Sequence, residues 1–181
     1  MKLNKNLELL TSINKAGIIL RPSSPELKKV FFNIKSIFEK NNISVFLEDN
    51  SANMINQKGL QLDELCNKVD FLVSVGGDGT LLSVVRKSFR YDKPVLGINL
   101  GTLGFLTDIS MEELPTFIKD FKNSKYKIDN RMMVEGSVNL NKFVAFNDIV
   151  ISRKSISSMI KISAKIDGKP FNSYYGDGVI I

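Results

Sequence analysis

The stretch Val69 to Lys87, "VDFLVSVGGDGTLLSVVRK", decides the fold. Its opening "VDFLVSV" is apolar at nearly every position, as a strand buried on both faces should be. The run stops at Gly76, Gly77, Asp78, Gly79 and Thr80, and helix-forming residues come next. A strand passing through a glycine-rich turn into a helix is one unit of a parallel sheet wrapped by helices. The three glycines strip the backbone of side chains on both sides of one carboxylate, which opens that backbone to close approach.

The same alternation extends on either side. "KAGIIL" (15–20) predicts a strand, and "SSPELKKVFFNIKSIFEKN" (23–41) a helix with Leu27, Phe31, Ile34 and Phe38 on one face. Ser23 and Glu26 stand in capping-box positions, with Pro25 near the start. "ISVFLE" (43–48), "LQLDELCNK" (60–68), "TLLSVVRKSF" (80–89) and "PVLGINL" (94–100) read as strand, helix, helix and strand. "SMEELPTFIKDFKN" (110–123) predicts a connecting helix capped by Ser110 and Glu113, with Pro115 either kinking it or moving its start later. Beyond it "RMMVEGSVNL", "KFVAFNDIVISR" and "MIKISAKIDGKPF" carry strand signals, and Asp167-Gly168 is a hairpin turn pair. The expected organisation is an α/β parallel-sheet, Rossmann-like domain over 1–122, followed over 123–181 by an incomplete, β-sandwich-like β-rich domain.

Composition limits the chemistry. The 181 residues are 43% hydrophobic, enough for a real core. Cys66 is the single cysteine and there is no histidine, which excludes an internal disulfide, Cys/His zinc sites, and Ser-His-Asp or Cys-His catalysis. The first fifteen residues contain no leader-type apolar run, and no stretch of about 18 apolar residues occurs later, so a soluble cytoplasmic protein without a membrane partner is expected. A net charge of +6 comes from scattered basic residues without interleaved aromatics, which argues against a nucleic-acid partner. A positive field still attracts phosphorylated ligands.

Three readings compete for "GGDGT". In one it is a tight turn, with glycines at positive φ and Asp78 capping the helix. In another it is a phosphate loop at a helix N-terminus, though the lysine of the G-x-x-x-x-G-K-[ST] loop is missing and "GINLGTLG" is not G-x-G-x-x-G. In the third, Asp78 faces an acceptor alcohol, orients it and takes its proton, while N–H groups and a divalent cation neutralise phosphate charge. That is the chemistry of a kinase acting on a hydroxyl group.

"GGDGTLL" (76–82) and "GINLGTLGFLTD" (97–108) resemble motifs of the NAD kinase family, which phosphorylates the 2′-hydroxyl of the adenosine ribose of NAD to give NADP. "AFNDIVISR" (145–153) resembles its Asn-acid motif, with Asp148 in place of the more usual glutamate, and "YYGDGVII" (174–181) the opening of its next motif. The resemblance covers the chain from about Lys15 onward. It implies that Asp78 is the proton acceptor and that Gly77, Gly79 and Thr80 help hold phosphates. It also implies that Phe105 lies along the adenine, that Asn147 and Asp148 hydrogen-bond NAD, and that Asp177 contacts the nicotinamide half. Ordinary core remains the alternative for Phe105, a strand bulge or turn for Asn147-Asp148, and a plain loop for Asp177. For the Asn147-Asp148 pair, a polar break in an apolar strand between Phe146 and Ile149 favours the site. The resemblance further implies NAD and ATP as partners, Mg2+ carried with ATP, and a homo-oligomer, in the family often a tetramer, built through the β-rich domain; no metal-ligand cluster in the sequence predicts a protein-held metal.

Lipid kinases and phosphofructokinases share the Gly-Gly-Asp-Gly turn, so a lipid or sugar kinase is the alternative, and a catalytically silent dinucleotide-binding protein is another. The residues after the turn, "LLSVVR" and then "GINLGTLGFLTD", differ from the Asn-Glu and Pro-x-Gly-Thr continuations of lipid kinases. The family continues beyond "GDGVII" into a Thr-Pro-Thr-Gly-Ser-Thr segment. A truncated chain is therefore expected, with an unfinished sheet, poor solubility and little activity on its own.

Overall fold

The computed structural model describes residues 10–101, 104–154 and 158–181. Thr102 and Leu103 of the second motif, and the residues before Leu10 that were read for a leader, lie outside the described residues. The chain divides into two compact units, Met1–Asn130 and Arg131–Ile181.

In chain order the first unit runs β1 (Lys15–Leu20), α1 (Lys28–Lys40), β2 (Ser44–Leu47), α2 (Asp49–Met54), α3 (Leu62–Lys68), β3 (Phe71–Gly76), α4 (Asp78–Ser88), β4 (Val95–Asn99), β5 (Ile109–Ser110) and α5 (Leu114–Lys122). The strands form one sheet in the order β2-β1-β3-β4-β5, every pairing parallel. This is the expected α/β parallel-sheet architecture. β3 lies mid-sheet and all six of its residues are buried, which accounts for its unbroken apolar run. Phe31, Ile34 and Phe38 of α1 join Leu114, Ile118 and Phe121 of α5 in one core, while Leu65 and Cys66 of α3 join Val84 of α4 in another. Alternate residues of β3 feed the two, Phe71, Val73 and Val75 the first and Leu72 the second. Chain order reverses between β1 and β3. In open sheets of this kind, ligands bind in the crevice at the carboxyl ends of the strands on either side of such a switch point.

Local expectations fare unevenly. Ser110 donates its N–H to Glu113 Oε2 at 2.8 Å and Glu113 N–H reaches Ser110 Oγ at 3.4 Å, but these bonds close the turn before α5, whose N-cap is Glu113 rather than Ser110, and the later start puts Pro115 in its first turn. The box at Ser23 and Glu26 does not form. Ser23 sits at φ 54°, Pro25–Leu27 is a 3-10 turn without a side-chain cap, and Glu26 pairs with Arg21 instead. The short helix α2 was not anticipated. Glu48 caps it by accepting from Ser51 N–H at 2.9 Å.

The segment after α5 stays with the first unit. Tyr126 packs edge-on against Phe121, 4.7 Å between centroids, and its hydroxyl accepts the Leu10 N–H at 2.7 Å. The division therefore falls after Asn130 rather than at 123.

The second unit comprises β6 (Val134–Val138), β7 (Asn141–Ala145), β8 (Val150–Ser152), β9 (Ile160–Ile166), β10 (Lys169–Gly176) and β11 (Gly178–Ile180). They pair antiparallel as β6 with β7, β8 with β11 and β9 with β10. Asp167 at φ 51° and Gly168 at φ 77° make the expected hairpin turn between β9 and β10. None of the described side chains of this unit is buried.

Candidate active site

The GGDGT turn joins the carboxyl end of β3 to α4, at the switch-point end of the sheet. Gly77 is the N-cap and Asp78 the first residue of α4. None of Gly76, Gly77 and Gly79 takes a positive φ, so the turn does not need glycine for its backbone shape. Gly76 has a packing reason, because a Cβ there would run into the Thr80 side chain. Gly77 and Gly79 have none among the described residues, where a Cβ at either would meet nothing within 4 Å. Two glycines that neither backbone nor packing requires leave open space beside a carboxylate.

Asp78 does not cap its own helix. Its carboxylate turns to the segment after β4. Phe105 N–H donates to Oδ2 at 2.8 Å, and Leu106 N–H, Thr107 N–H and the Thr107 hydroxyl donate to Oδ1 at 3.2, 3.1 and 3.2 Å. The Phe105 N–H foremost, offset by partial burial and then reinforced by the Leu106 and Thr107 donors, holds this carboxyl below its usual range. The segment is itself fixed to β4, since Gly97 N–H donates to Asp108 Oδ2 at 2.7 Å and Asp108 N–H to Gly97 O at 3.0 Å. Gly104 completes the arrangement, because a Cβ there would overlap the Asp78 carboxylate. Sequence reasoning missed Gly104 and Thr107, although both lie in the quoted motif.

Phe105 is 99% exposed. The core alternative for this ring is thus excluded, and its face is free to stack on a flat ligand. Thr80 is buried against Gly76. Arg21, at the end of β1, donates its N–H to Val75 O at 2.9 Å, which places it beside the turn.

The remaining candidates lie in the second unit. Asn147 and Asp148 are exposed in the link between β7 and β8, the Asn147 amide donating to Asp148 Oδ2 at 3.4 Å. The burial cost invoked for this pair therefore does not apply, because water satisfies both side chains. Asp177 lies between β10 and β11 and pairs with Arg153, 3.0 Å from Oδ1 to Nη1. Gly178 is held to glycine by packing, as a Cβ would strike the Ile151 carbonyl. Among the described residues no group of three or more Asp, Glu, Cys or His side chains could hold a metal ion, and no helix is long and apolar enough to cross a membrane.

Residues 16–126, well over half of the chain, match the family description "ATP-NAD kinase N-terminal domain". The chain belongs to the NAD kinase family. It is 48% identical over 179 residues to the NAD kinase of Wolinella succinogenes, covering 97% of this chain and 62% of that one. To the NAD kinase of Sulfurimonas denitrificans it is 49% identical over 173 residues, covering 93% and 61%. The chain thus spans about three-fifths of the length of these curated relatives. Among solved structures, yeast NADH kinase complexed with NADH superposes with a TM-score of 0.76 at 23% identity, covering 93% of this chain and 57% of that one. An Archaeoglobus fulgidus NAD kinase in complex with ATP gives 0.69 at 27%, covering 92% and 59%.

Proposed function

We propose that the chain carries the catalytic turn of a NAD kinase, which transfers the terminal phosphoryl group of magnesium-bound ATP to the 2′-hydroxyl of the adenosine ribose of NAD. The observation that carries this reading is the open space over Gly77 and Gly79 beside an ionised Asp78. Asp78 Oδ1 already accepts three hydrogen bonds and Oδ2 one, so Oδ2 keeps the lone pair available to an incoming hydroxyl. As the 2′-oxygen bonds to the γ-phosphorus, the bond from phosphorus to the β,γ-bridging oxygen breaks, ADP departs, and the hydroxyl proton passes to Oδ2. The N-terminal N–H groups of α4 and the magnesium ion carried by ATP offset phosphate charge. Gly77, Gly79 and Thr80 hold phosphates, and the exposed Phe105 ring stacks on the adenine of NAD. Family membership favours NAD over lipid or sugar acceptors.

In the second unit, Asn147 and Asp148 contact NAD and Asp177 its nicotinamide half. Asn147→Ala is expected to weaken NAD binding by roughly 1 to 3 kcal/mol through an unpaired ligand group, as read by calorimetry. An unchanged affinity would return Asn147 to an exposed turn. The apolar side chains exposed on this unit, among them Phe143, Phe171 and Tyr175, fit an association surface, and in our reading the protein is a cytoplasmic homo-oligomer, a tetramer.

NADP formation from NAD and magnesium ATP tests the proposal directly. Gly77→Ala sharpens the test, because the Gly77 backbone, φ −128° and ψ −169°, suits any residue and the added methyl group meets no atom of the described residues. Stability should fall by no more than about 1 kcal/mol, the cost of alanine at an N-cap, while turnover falls on the order of 10-fold or more, the methyl group displacing the phosphates. Unaltered turnover would mean that nothing binds over Gly77.

A further inference from the structure

Four consecutive backbone N–H groups, those of residues 105–108, are all committed. Phe105, Leu106 and Thr107 give theirs to the Asp78 carboxylate, and Asp108 gives its own to Gly97 O in β4 at 3.0 Å. Successive N–H groups converge on one anion only where the chain curls into a small concavity. Such a curl holds its anion in place only as firmly as the curl itself is held.

The hold is at Asp108. β5 begins at Ile109, which is paired with Ile98, so the β4–β5 ladder stops just after the curl. Gly97, one residue back along β4, is buried, and its N–H needs an acceptor. Asp108 Oδ2 supplies it at 2.7 Å, taking the place that a backbone carbonyl would fill if β5 ran on. The substitution frees residues 105–107 from the ladder, so their N–H groups can face α4 instead of β4. Gly97 contributes by its lack of a side chain. Its φ is not positive, but a Cβ there would lie 3.1 Å from Thr107 Cα and 3.3 Å from Asp108 Oδ2, so only glycine lets the curl come this close to the sheet.

We infer that Asp108 is a positioning residue for the base: latched to Gly97, it fixes the curl that holds the Asp78 carboxylate where an acceptor hydroxyl can meet it. Asp108 itself touches neither Asp78 nor the open space over Gly77 and Gly79 through any bond described above, and it acts through residues 105–107. The consequence for turnover rests on the kinase reading, whereas the consequence for the Asp78 titration does not.

Three variants of the whole chain test this, read by carbon NMR of the Asp78 carboxyl group and by the pH profile of NADP formation. Asp108→Ala leaves the Gly97 N–H without its acceptor and loosens the curl. The Asp78 pKa should then rise toward the ordinary aspartate value as donors are lost, and the acid limb of kcat/KM should move to higher pH with it. Removing a negative charge near Asp78 would by itself shift both the other way, so the sign separates a loosened curl from plain electrostatics. kcat should fall about tenfold or more while KM for NAD stays within about twofold, because the latch bonds to protein and not to ligand. Asp108→Asn keeps an oxygen that can accept from Gly97 and should restore most of the parent titration and rate. Gly97→Ala keeps Asp108 but wedges a methyl group against Thr107, and should raise the Asp78 pKa as well. A latch that served stability alone would lower the melting temperature and leave Asp78 titrating as in the parent. That result in both alanine variants, or an asparagine variant no nearer the parent than Asp108→Ala, would overturn the inference. If Asp108→Ala does not fold, Gly97→Ala decides by the same titration. A parent chain that makes no NADP, with the titrations moving as described, would uphold the latch and sink the kinase reading. NADP formation with an Asp78 titration that neither alanine variant moves would do the reverse.

Discussion

Asp78→Asn is expected to lower NADP formation by roughly 100- to 10,000-fold, the usual cost of removing a general base, while NAD affinity changes only by a small factor. The amide has one oxygen where the carboxylate has two. With that oxygen kept toward Leu106 and Thr107, the amide nitrogen faces the Phe105 N–H, and two donors oppose each other. The variant should therefore also shift the Phe105 amide signal, which locates the disturbance. The pH dependence has a definite sign. Asp78 is held below the usual carboxylate range by the Phe105, Leu106 and Thr107 donors, so the base stays ionised as pH falls through that range. The acid limb of kcat/KM due to this group should lie below the ordinary aspartate value, and stability linked to it should be lost only as pH falls through the lowered pKa. An Asn variant that kept more than about a tenth of the rate would remove Asp78 from the role of base.

The sheet was legible where burial leaves a mark on composition. β3 reads as a strand because it is covered on both faces, and α1 as a helix because Phe31, Ile34 and Phe38 must all meet one core. α2 was not legible. Its six residues, "DNSANM", are mostly poor helix formers without an apolar stripe, and the helix exists because Glu48 caps it and Ser51 bonds to β1. The failed capping box at Ser23 has a similar cause, since Arg21 at the end of β1 takes the Glu26 carboxylate for an ion pair. In both cases local propensity gives way to the end of β1, where Leu20 N–H meets Ser51 Oγ beside the β1–β2 pairing and Arg21 holds Glu26.

In the site, a lone carboxylate among glycines is conspicuous in any sequence, and Asp78 was found that way. The groups that hold it were not. They are chiefly backbone N–H groups, which every residue except proline carries and no letter of the sequence distinguishes. They also come from 27 to 29 residues further along the chain. Asn147 and Asp148 show the converse: an apolar flank in sequence predicts burial, yet both residues are exposed in the link between β7 and β8.

Gly104→Ala is expected to lower turnover on the order of 100-fold without unfolding the chain, a large effect for a single added methyl group. Gly104 does not need glycine for a positive φ, so its backbone tolerates alanine. What alanine meets is the Asp78 carboxylate, with all three carboxyl heavy atoms in overlap with the new Cβ. Relief requires either the carboxylate to leave the N–H groups of Phe105, Leu106 and Thr107, or the segment to draw back from α4. Drawing back is resisted by the two bonds between Gly97 and Asp108, so the carboxylate moves. A base displaced by about an ångström no longer meets the hydroxyl in line with phosphorus. Carbon NMR of the Asp78 carboxyl group should then show its pKa rising toward the ordinary value as the donors are lost, whereas NAD affinity, set by other contacts, should change little. Turnover and an Asp78 titration both indistinguishable from the parent chain would show that the carboxylate does not work from this position.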